Sequence, residues 1–425
     1  MNYLDLSKDE LAKERARVLK EYEKLKALKL NLNMARGKPS IEQLNLSRGL
    51  LDVINSESCC TLKDGTDCLN YGVLDGIPEI KELFAPVLGV APNQIFVGGN
   101  SSLSMMFDII SFFMTRGVPG FEPWTRQGKI KFLCPCPGYD RHFAILEHFN
   151  IEAIPVPMTI TGPDMGIVEN LVAKDRTIKG IFCVPKYSNP QGITYSDETV
   201  KRFSALPHLA GDFRIFWDNA YAIHDLSDTP ARLLNIMDEC EKNGTQDLPL
   251  IFCSTSKITF PGAGVAFLGA SKKNLSAIKN FYSAKTIGFD KINQLRHVRY
   301  FKDYRGLLSH MKKHQDILKP KFDLVTNALK SEFSGNKIIS FTDPTGGYFI
   351  SVDVMPGCAK RVVALCKNIG LILTDAGATF PYGIDKKDSN IRLAPSCPTL
   401  DELNVAIYAF CVAVKLATLE KLLES

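Results

Sequence analysis

The spacing of apolar residues changes twice along the chain, and each regime predicts a different kind of element. Near the start, Leu11, Val18, Tyr22 and Leu25 recur at roughly helical intervals behind Ser7-x-x-Glu10. In that pairing the serine hydroxyl and the glutamate carboxylate each satisfy a backbone N–H at a helix start, so a helix with a charged, solvated outer face is expected there. From about residue 95 to about residue 270 the apolar residues come as short runs, QIFVGG, IKFLCP, GIFCVP, FRIFWD, LIFCS and VAFLGA, separated by polar, helix-like stretches. Short continuous runs suit strands buried on both faces, and their alternation with helices predicts α/β layering around a largely parallel sheet. After about residue 300 a long amphipathic stretch precedes GGYFISVDV, the helix-like CAKRVVALCKNIG and a closing helix, DELNVAIYAFCVAVKLATLEKLL. This mixture predicts a smaller α+β unit completed by N-terminal residues, with limits of 1–65 and 300–425 for the small unit and 66–299 for the large one.

Composition agrees with two units, since 425 residues with 45% hydrophobic content exceed one compact domain. The 51 basic and 46 acidic residues leave a net charge of +5 without the clustered basic excess that nucleic-acid binding requires. A small-molecule substrate is therefore expected. Twelve cysteines include Cys59-Cys60 and Cys134-x-Cys136, but no CxxC pair and none beside histidines at metal-ligand spacing, so they read as thiols of a reducing compartment. The N-terminus is too charged for a signal peptide and no apolar run is expected to reach membrane-spanning length, which together predict a cytoplasmic protein.

Parallel α/β sheets place their chemistry at the carboxyl ends of strands. Directly after QIFVG come Gly98, Gly99, Asn100, Ser101 and Ser102, small residues opening an apolar helix-like stretch. A helix N-terminus of that kind can hold a phosphate through its amides and dipole, although an ordinary N-cap accounts for the same residues. After IKFL comes Tyr139, an aromatic at the lip of the sheet that can stack on a flat ring or plug the loop. Pro185-x-x-x-Asn189-Pro190-Gln191-Gly192 fixes a turn that aims one amide, and Asp218 with Tyr221 follows RIFW. Lys257, in CSTSKITFPGAG, stands at the end of LIFC among hydroxyl residues. A lysine there can simply point into water. Taken together, however, the residues specify a ligand with a phosphate, a flat ring, a ring oxygen, a basic ring nitrogen and an aldehyde that an amine can capture. That ligand is pyridoxal 5'-phosphate.

These phrases, with MARGKPS, YGVLDGIPEIKELFAPVLGV, CPGYDRHF, KYSNPQG, WDNAY, STSK, KTIGFDKINQLRHVRYF, PTGGYF and IRLAPS in the same order, resemble the fold-type I, class I/II aminotransferases. Nearly the whole chain is covered, and the pattern is most similar to the bacterial-type aspartate aminotransferase subgroup 1c. The resemblance implies the PLP-dependent transferase fold: a large domain with a mainly parallel seven-stranded sheet between helices, plus the smaller α+β domain. It implies that Lys257 is the Schiff-base lysine and proton shuttle, that Asp218 pairs with the pyridine nitrogen, and that Asn189 and Tyr221 bond the ring oxygen. By the same resemblance Tyr139 stacks on the ring, and Asn100, Ser101, Ser102, Ser254 and Ser256 surround the phosphate. Tyr71 would reach the phosphate of a second subunit, which makes a homodimer with shared active sites the expected assembly. Arg392 would grip the substrate carboxylate, with Asn189 and the backbone of Gly37 beside it.

A dicarboxylic substrate needs a second cation, for which Arg36 is the first candidate and Lys38, Lys285 and Lys291 follow. One departure stands out: most members of the wider family carry an arginine in a G-x-R-x-G phrase after the lysine, whereas this chain reads Pro261-Gly262-Ala263-Gly264-Val265, a glycine-rich form that the resemblance to subgroup 1c implies. Ser254, Ser256 or a nearby lysine would have to compensate. Gly37-Lys38-Pro39-Ser40 lacks P-loop spacing, because Leu32 stands five positions before Gly37, and Gly262-x-Gly264 lacks a third glycine. His142 and His148 fall on one helix-like segment, and His310 and His314 on another without a supporting acid, so all four read as structural and no metal is expected. The implied reaction is a ping-pong exchange between aspartate and 2-oxoglutarate. The alternatives are an aromatic, alanine or 2-aminoadipate aminotransferase, a β-lyase, or a non-catalytic regulator.

Overall fold

A computed structural model describes residues 2–424; residues 1 and 425, the ends of the expected small unit, lie outside the described residues. The first long helix, Lys8–Ala27, starts where Ser7 and Glu10 predict: the Ser7 hydroxyl accepts from the Glu10 N–H, and the Glu10 carboxylate accepts from the Ser7 N–H at 2.8 Å. Its four expected apolar residues are the four that it buries.

The chain then forms the short strand β1 (Leu32–Asn33) and enters the large sheet. That sheet comprises β2 (Ile95–Val97), β3 (Lys131–Cys136), β4 (Glu152–Thr159), β5 (Gly162–Pro163), β6 (Ile178–Cys183), β7 (Arg214–Asp218), β8 (Pro249–Ser254) and β9 (Ala266–Gly269). Their order is β2-β9-β8-β7-β6-β3-β4-β5. The sheet is mainly parallel; β9 runs antiparallel to β2 and β8, and the two-residue β5 folds back on β4 as an edge piece beyond the seven expected strands. Successive residues point to opposite faces, so both sides of each apolar run find a core. Ile215 and Trp217 enter one core with Ile181, Cys183, Ile251 and Cys253, while Phe216 enters the other with Phe132, Phe182 and Phe252.

The small unit carries β10 (Ile339–Phe341), β11 (Ile350–Val354), β12 (Leu371–Ile372) and β13 (Asn390–Leu393). β11 lies between β10 and β13 in an antiparallel sheet, while β12 pairs in parallel with β1. The N-terminal segment therefore belongs structurally with the C-terminal part. The 29-residue helix Tyr304–Glu332 joins the units, giving Leu307 and Met311 to the large-sheet core and Leu318, Phe322, Val325 and Leu329 to the small one.

The closing helix, Leu400–Glu424, corrects one expectation. It is long and apolar enough to cross a membrane by length and composition, with a mean hydropathy of 1.6 in its most apolar window. Yet 72% of that window is buried inside the protein, where the helix packs against Lys8–Ala27, Tyr304–Glu332 and Ala359–Asn368. A helix enclosed by neighbours is apolar on all sides for the same reason that a membrane span is.

Candidate active site

The carboxyl ends of the parallel strands open into a cleft of about 910 Å³ between the two units. Lys257 enters it from the single turn Thr255–Lys257 that follows β8. The turn is fixed from beneath: the Thr255 hydroxyl oxygen accepts from the Val265 N–H at 2.9 Å, and the Thr255 and Thr259 hydroxyls contact His297 Nε2 at 3.1 and 2.9 Å. The Lys257 amine is 5.0 Å from the centre of the Tyr221 ring and makes no hydrogen bond or ion pair within the described residues. Burial lowers its pKa below the ordinary lysine value, with Asp218 opposing the shift. An unbonded amine that loses its proton more readily is equipped to attack a carbonyl or to carry a proton.

Asp218 is the last residue of β7 and is buried. Its Oδ2 accepts from His142 Nε2 at 3.0 Å, while its Oδ1 is buried without a partner. The His142 ring lies flat on Phe182, with centroids 4.4 Å apart and planes 13° apart. Tyr139 meets it edge-on at 5.0 Å, and burial together with Asp218 raises the tyrosine to a pKa of about 12. His142 thus backs Asp218 from behind the cleft wall, a contact that the reading of the histidines as structural did not anticipate. The signal was its spacing: three residues beyond Tyr139, on the first turn of the helix Asp140–His148 that follows β3, it faces the same sheet end.

Arg392 lies in β13, with its guanidinium 4.7 Å from the Phe349 ring centre. Its Nη1 donates to Asp140 Oδ1 at 3.0 Å and to Asn189 Oδ1 at 3.3 Å, and its Nη2 donates to Thr374 at 3.3 Å. Its Nε is buried without a partner. Gly37 packs against the same phenyl ring, where an added Cβ would lie 2.5 Å from Phe349 Cζ. Gly37→Ala is accordingly expected to displace Phe349 from beneath Arg392 at an overpacking cost of about 1–3 kcal/mol. Titration with a small carboxylate should show binding at Arg392 weakening about tenfold. Unchanged binding would separate the arm from the Arg392 site.

At the far end, Ser101 caps the helix Ser102–Arg116 without using its side chain, so its hydroxyl and the first-turn N–H groups remain available. Ser254 donates to Ser256 at 3.1 Å, and Ser256 donates to the carbonyl of Asn100 at 3.2 Å. Asn100 enters through that carbonyl alone, because its side chain is exposed and outside the cleft wall.

The aspartate amino-transferase family model matches residues 6–425. The chain belongs to this family. It is 43% identical over 404 residues to the aspartate aminotransferase of Corynebacterium glutamicum, covering 95% of this chain and 93% of that one. It superposes on a crystal structure of an aspartate transaminase from Corynebacterium glutamicum with a TM-score of 0.96 and 41% identity, covering 99% of both chains. The same fold, at a TM-score of 0.74, 18% identity and 95% of each chain, occurs in an α-aminoadipate aminotransferase of Thermus thermophilus complexed with N-(5'-phosphopyridoxyl)-L-leucine. The protein is therefore an aminotransferase with the fold-type I architecture.

In this aminotransferase a Cβ at Gly264 would stand 2.8 Å from the Asn100 carbonyl oxygen and 3.4 Å from the Ser256 nitrogen and hydroxyl, so the glycine lets the two loops touch. Of the candidates for a second cation, Arg36 and Lys38 line the cleft and Arg141 joins them. Arg141 was not singled out in the sequence, although it follows Asp140 in the same phrase. Lys285 is held by Asp108 at 2.5 Å, and Lys291 donates to the carbonyls of Asn70 and Gly72 at 2.5 and 3.1 Å, so both are engaged away from the cleft. Tyr71 is 83% exposed and outside its own chain's cleft. Among the described residues no group of three or more His, Cys, Asp or Glu side chains is placed to hold a metal.

Proposed function

We propose that this aminotransferase transfers the amino group of L-aspartate to 2-oxoglutarate in two successive half-reactions, with pyridoxal 5'-phosphate held in the cleft. The observation that carries the reading is the convergence on one cleft of the free amine of Lys257, the unpartnered oxygen of Asp218 and the ring-backed guanidinium of Arg392, whose Nε has no partner although its other nitrogens bond Asp140, Asn189 and Thr374. The donor set fits the cofactor. Lys257 would hold its aldehyde carbon, Asp218 its ring nitrogen, Asn189 and Tyr221 its ring oxygen, and Tyr139 its flat face. Ser101, Ser102, Ser254 and Ser256, with the helix N-terminus, offer neutral donors for the phosphate. Bound there, the cofactor supplies an electron sink for the substrate's Cα.

The chain's own residues do the rest. Arg392 fixes the α-carboxylate in a planar fork, so the Cα–H is presented in one orientation. Lys257 removes the Cα proton and returns a proton at the carbon that receives the amino nitrogen. Asp218, oriented by His142, maintains positive charge on the ring nitrogen that it faces. Aspartate is supported by the names of the two Corynebacterium glutamicum relatives and by the three cations, Arg36, Lys38 and Arg141, that line the cleft besides Lys257 and Arg392. We assign the side-chain carboxylate to Arg141, with Arg36 assisting. We also read Tyr71 as reaching the cleft of a second copy of the chain in a homodimer, and the cytoplasm as its location.

The test is the visible spectrum of the purified protein before and after L-aspartate is added alone. A band from cofactor joined to Lys257 that disappears with aspartate supports the reading. A band indifferent to aspartate removes the substrate, and no band with added cofactor removes the cofactor. Arg141→Ala should raise the KM of aspartate and 2-oxoglutarate about 10–100-fold while leaving alanine unaffected, because one charge-assisted contact to a carboxylate is lost. Equal effects on both amino acids would place the distal carboxylate elsewhere.

A further inference from the structure

Behind the Lys257 turn lies a buried polar network that the reaction above does not use. The arm that lines the cleft, Arg36–Lys38, runs into the short helix Ile41–Leu46, which Ser40 and Gln43 cap reciprocally. Gln43 is fully buried and uses both ends of its amide: Oε1 accepts from the Ser40 N–H at 3.1 Å, while Nε2 donates to the Tyr348 hydroxyl at 2.8 Å and meets His314 Nδ1 at 3.0 Å. The Tyr348 hydroxyl in turn donates to the carbonyl of Lys257 at 3.5 Å. From the other end of the helix, Ser47 donates to the carbonyl of Ile258 at 3.4 Å, and His310, 3.1 Å from His314, reaches the same carbonyl at 2.8 Å. The arm's helix is thus bonded at both ends to two consecutive carbonyls of the segment that carries the lysine.

The next residue in the chain closes the circuit. Phe349 faces the opposite way from Tyr348, backing Arg392 and touching Gly37. Contact with Arg392 and contact with the Lys257 carbonyl therefore sit on neighbouring residues, and the arm touches both, through Gly37 and through Gln43. Burial keeps both histidines neutral, His314 at about 3 and His310 below its ordinary value, so the network works as a set of directed hydrogen bonds and not as a charge.

We propose that Gln43 and Tyr348 are positioning residues that transmit substrate seating at the arm and Arg392 to the main chain of Lys257. The inference rests on the aminotransferase reading of the cleft. Its test is hydrogen–deuterium exchange of the cofactor-loaded protein with and without maleate, a dicarboxylate with no amino group to give. In the wild type, maleate should slow exchange both in the arm, residues 36–40, and in the lysine segment, residues 255–260. In Tyr348→Phe and in Gln43→Met the arm should still be protected and the lysine segment should not. The aspartate half-reaction should then slow about tenfold at saturation with little change in the half-saturating concentration, as expected when a reacting group is misplaced after binding. Retained protection of the lysine segment in both variants overturns the inference, as does a wild type whose arm alone responds. Failure of the cleft reading looks different: no cofactor band, and no maleate protection anywhere.

Discussion

Lys257→Ala is expected to lower the turnover number by about 10 000-fold or more, because a single amine serves as the covalent anchor and as the proton carrier. Stability is expected to move the other way. In the folded chain the amine has no hydrogen bond or ion pair to lose, and burial depresses its pKa, so the ammonium form is less well accommodated than in water. The native state therefore binds fewer protons than the unfolded state between the depressed value and the ordinary lysine value of about 10.4, and wild-type stability rises with pH through that window. The alanine variant lacks this term. Without cofactor it should melt at or above the wild-type temperature near pH 7, and the difference should shrink as the pH is raised toward about 10. Denaturation scans across that range, together with half-reaction kinetics, check both halves. Full transaminase activity in the variant would end the assignment.

Asp218→Ala should produce the second-largest loss, about 1000-fold in the aspartate half-reaction, by removing the only carboxylate at the end of β7 from a site where charge develops out of reach of water. The fold should tolerate the change. Asp218 leaves one oxygen unpartnered, so the main structural cost is His142 Nε2 losing its acceptor, about 1–3 kcal/mol for a buried donor and partly offset by no longer burying a carboxylate. Stopped-flow spectra with aspartate, read beside a thermal melt, separate the two quantities. A variant that loses stability and rate in parallel would mark Asp218 as structural.

The large sheet was legible because its strands obey a local rule: a run buried on both faces must be largely apolar, and IFV, FLC, GIFC, IFW, LIFC and AFLG are. The residues just beyond those runs were legible for the same reason, since a parallel sheet delivers the ends of its strands to one edge. Lys257, Asp218, Tyr139, Asn189 and the serines came from that logic and from the family phrases, and the cleft contains them. What the sequence did not single out depended on the turn of a helix or on contact between loops. His142 and Arg141 sit on the first turn of a helix, where one residue's difference decides whether a side chain faces the sheet end, the cleft or water. The clash that excludes a side chain at Gly264 is with Asn100, more than a hundred and fifty residues away. The closing helix was expected as a helix, but its membrane-spanning length was not, because enclosure by protein and enclosure by lipid select the same side chains.

The helix Tyr304–Glu332 gives its first turns to one core and its later turns to the other. Cutting one unit from the other would expose an apolar stripe, and a limit at residue 300 leaves Leu307 and Met311 of the large-sheet core on the small unit's side. The two halves share a beam, and whatever loosens one end of it is felt at the other. The two units are therefore expected to unfold in a single transition.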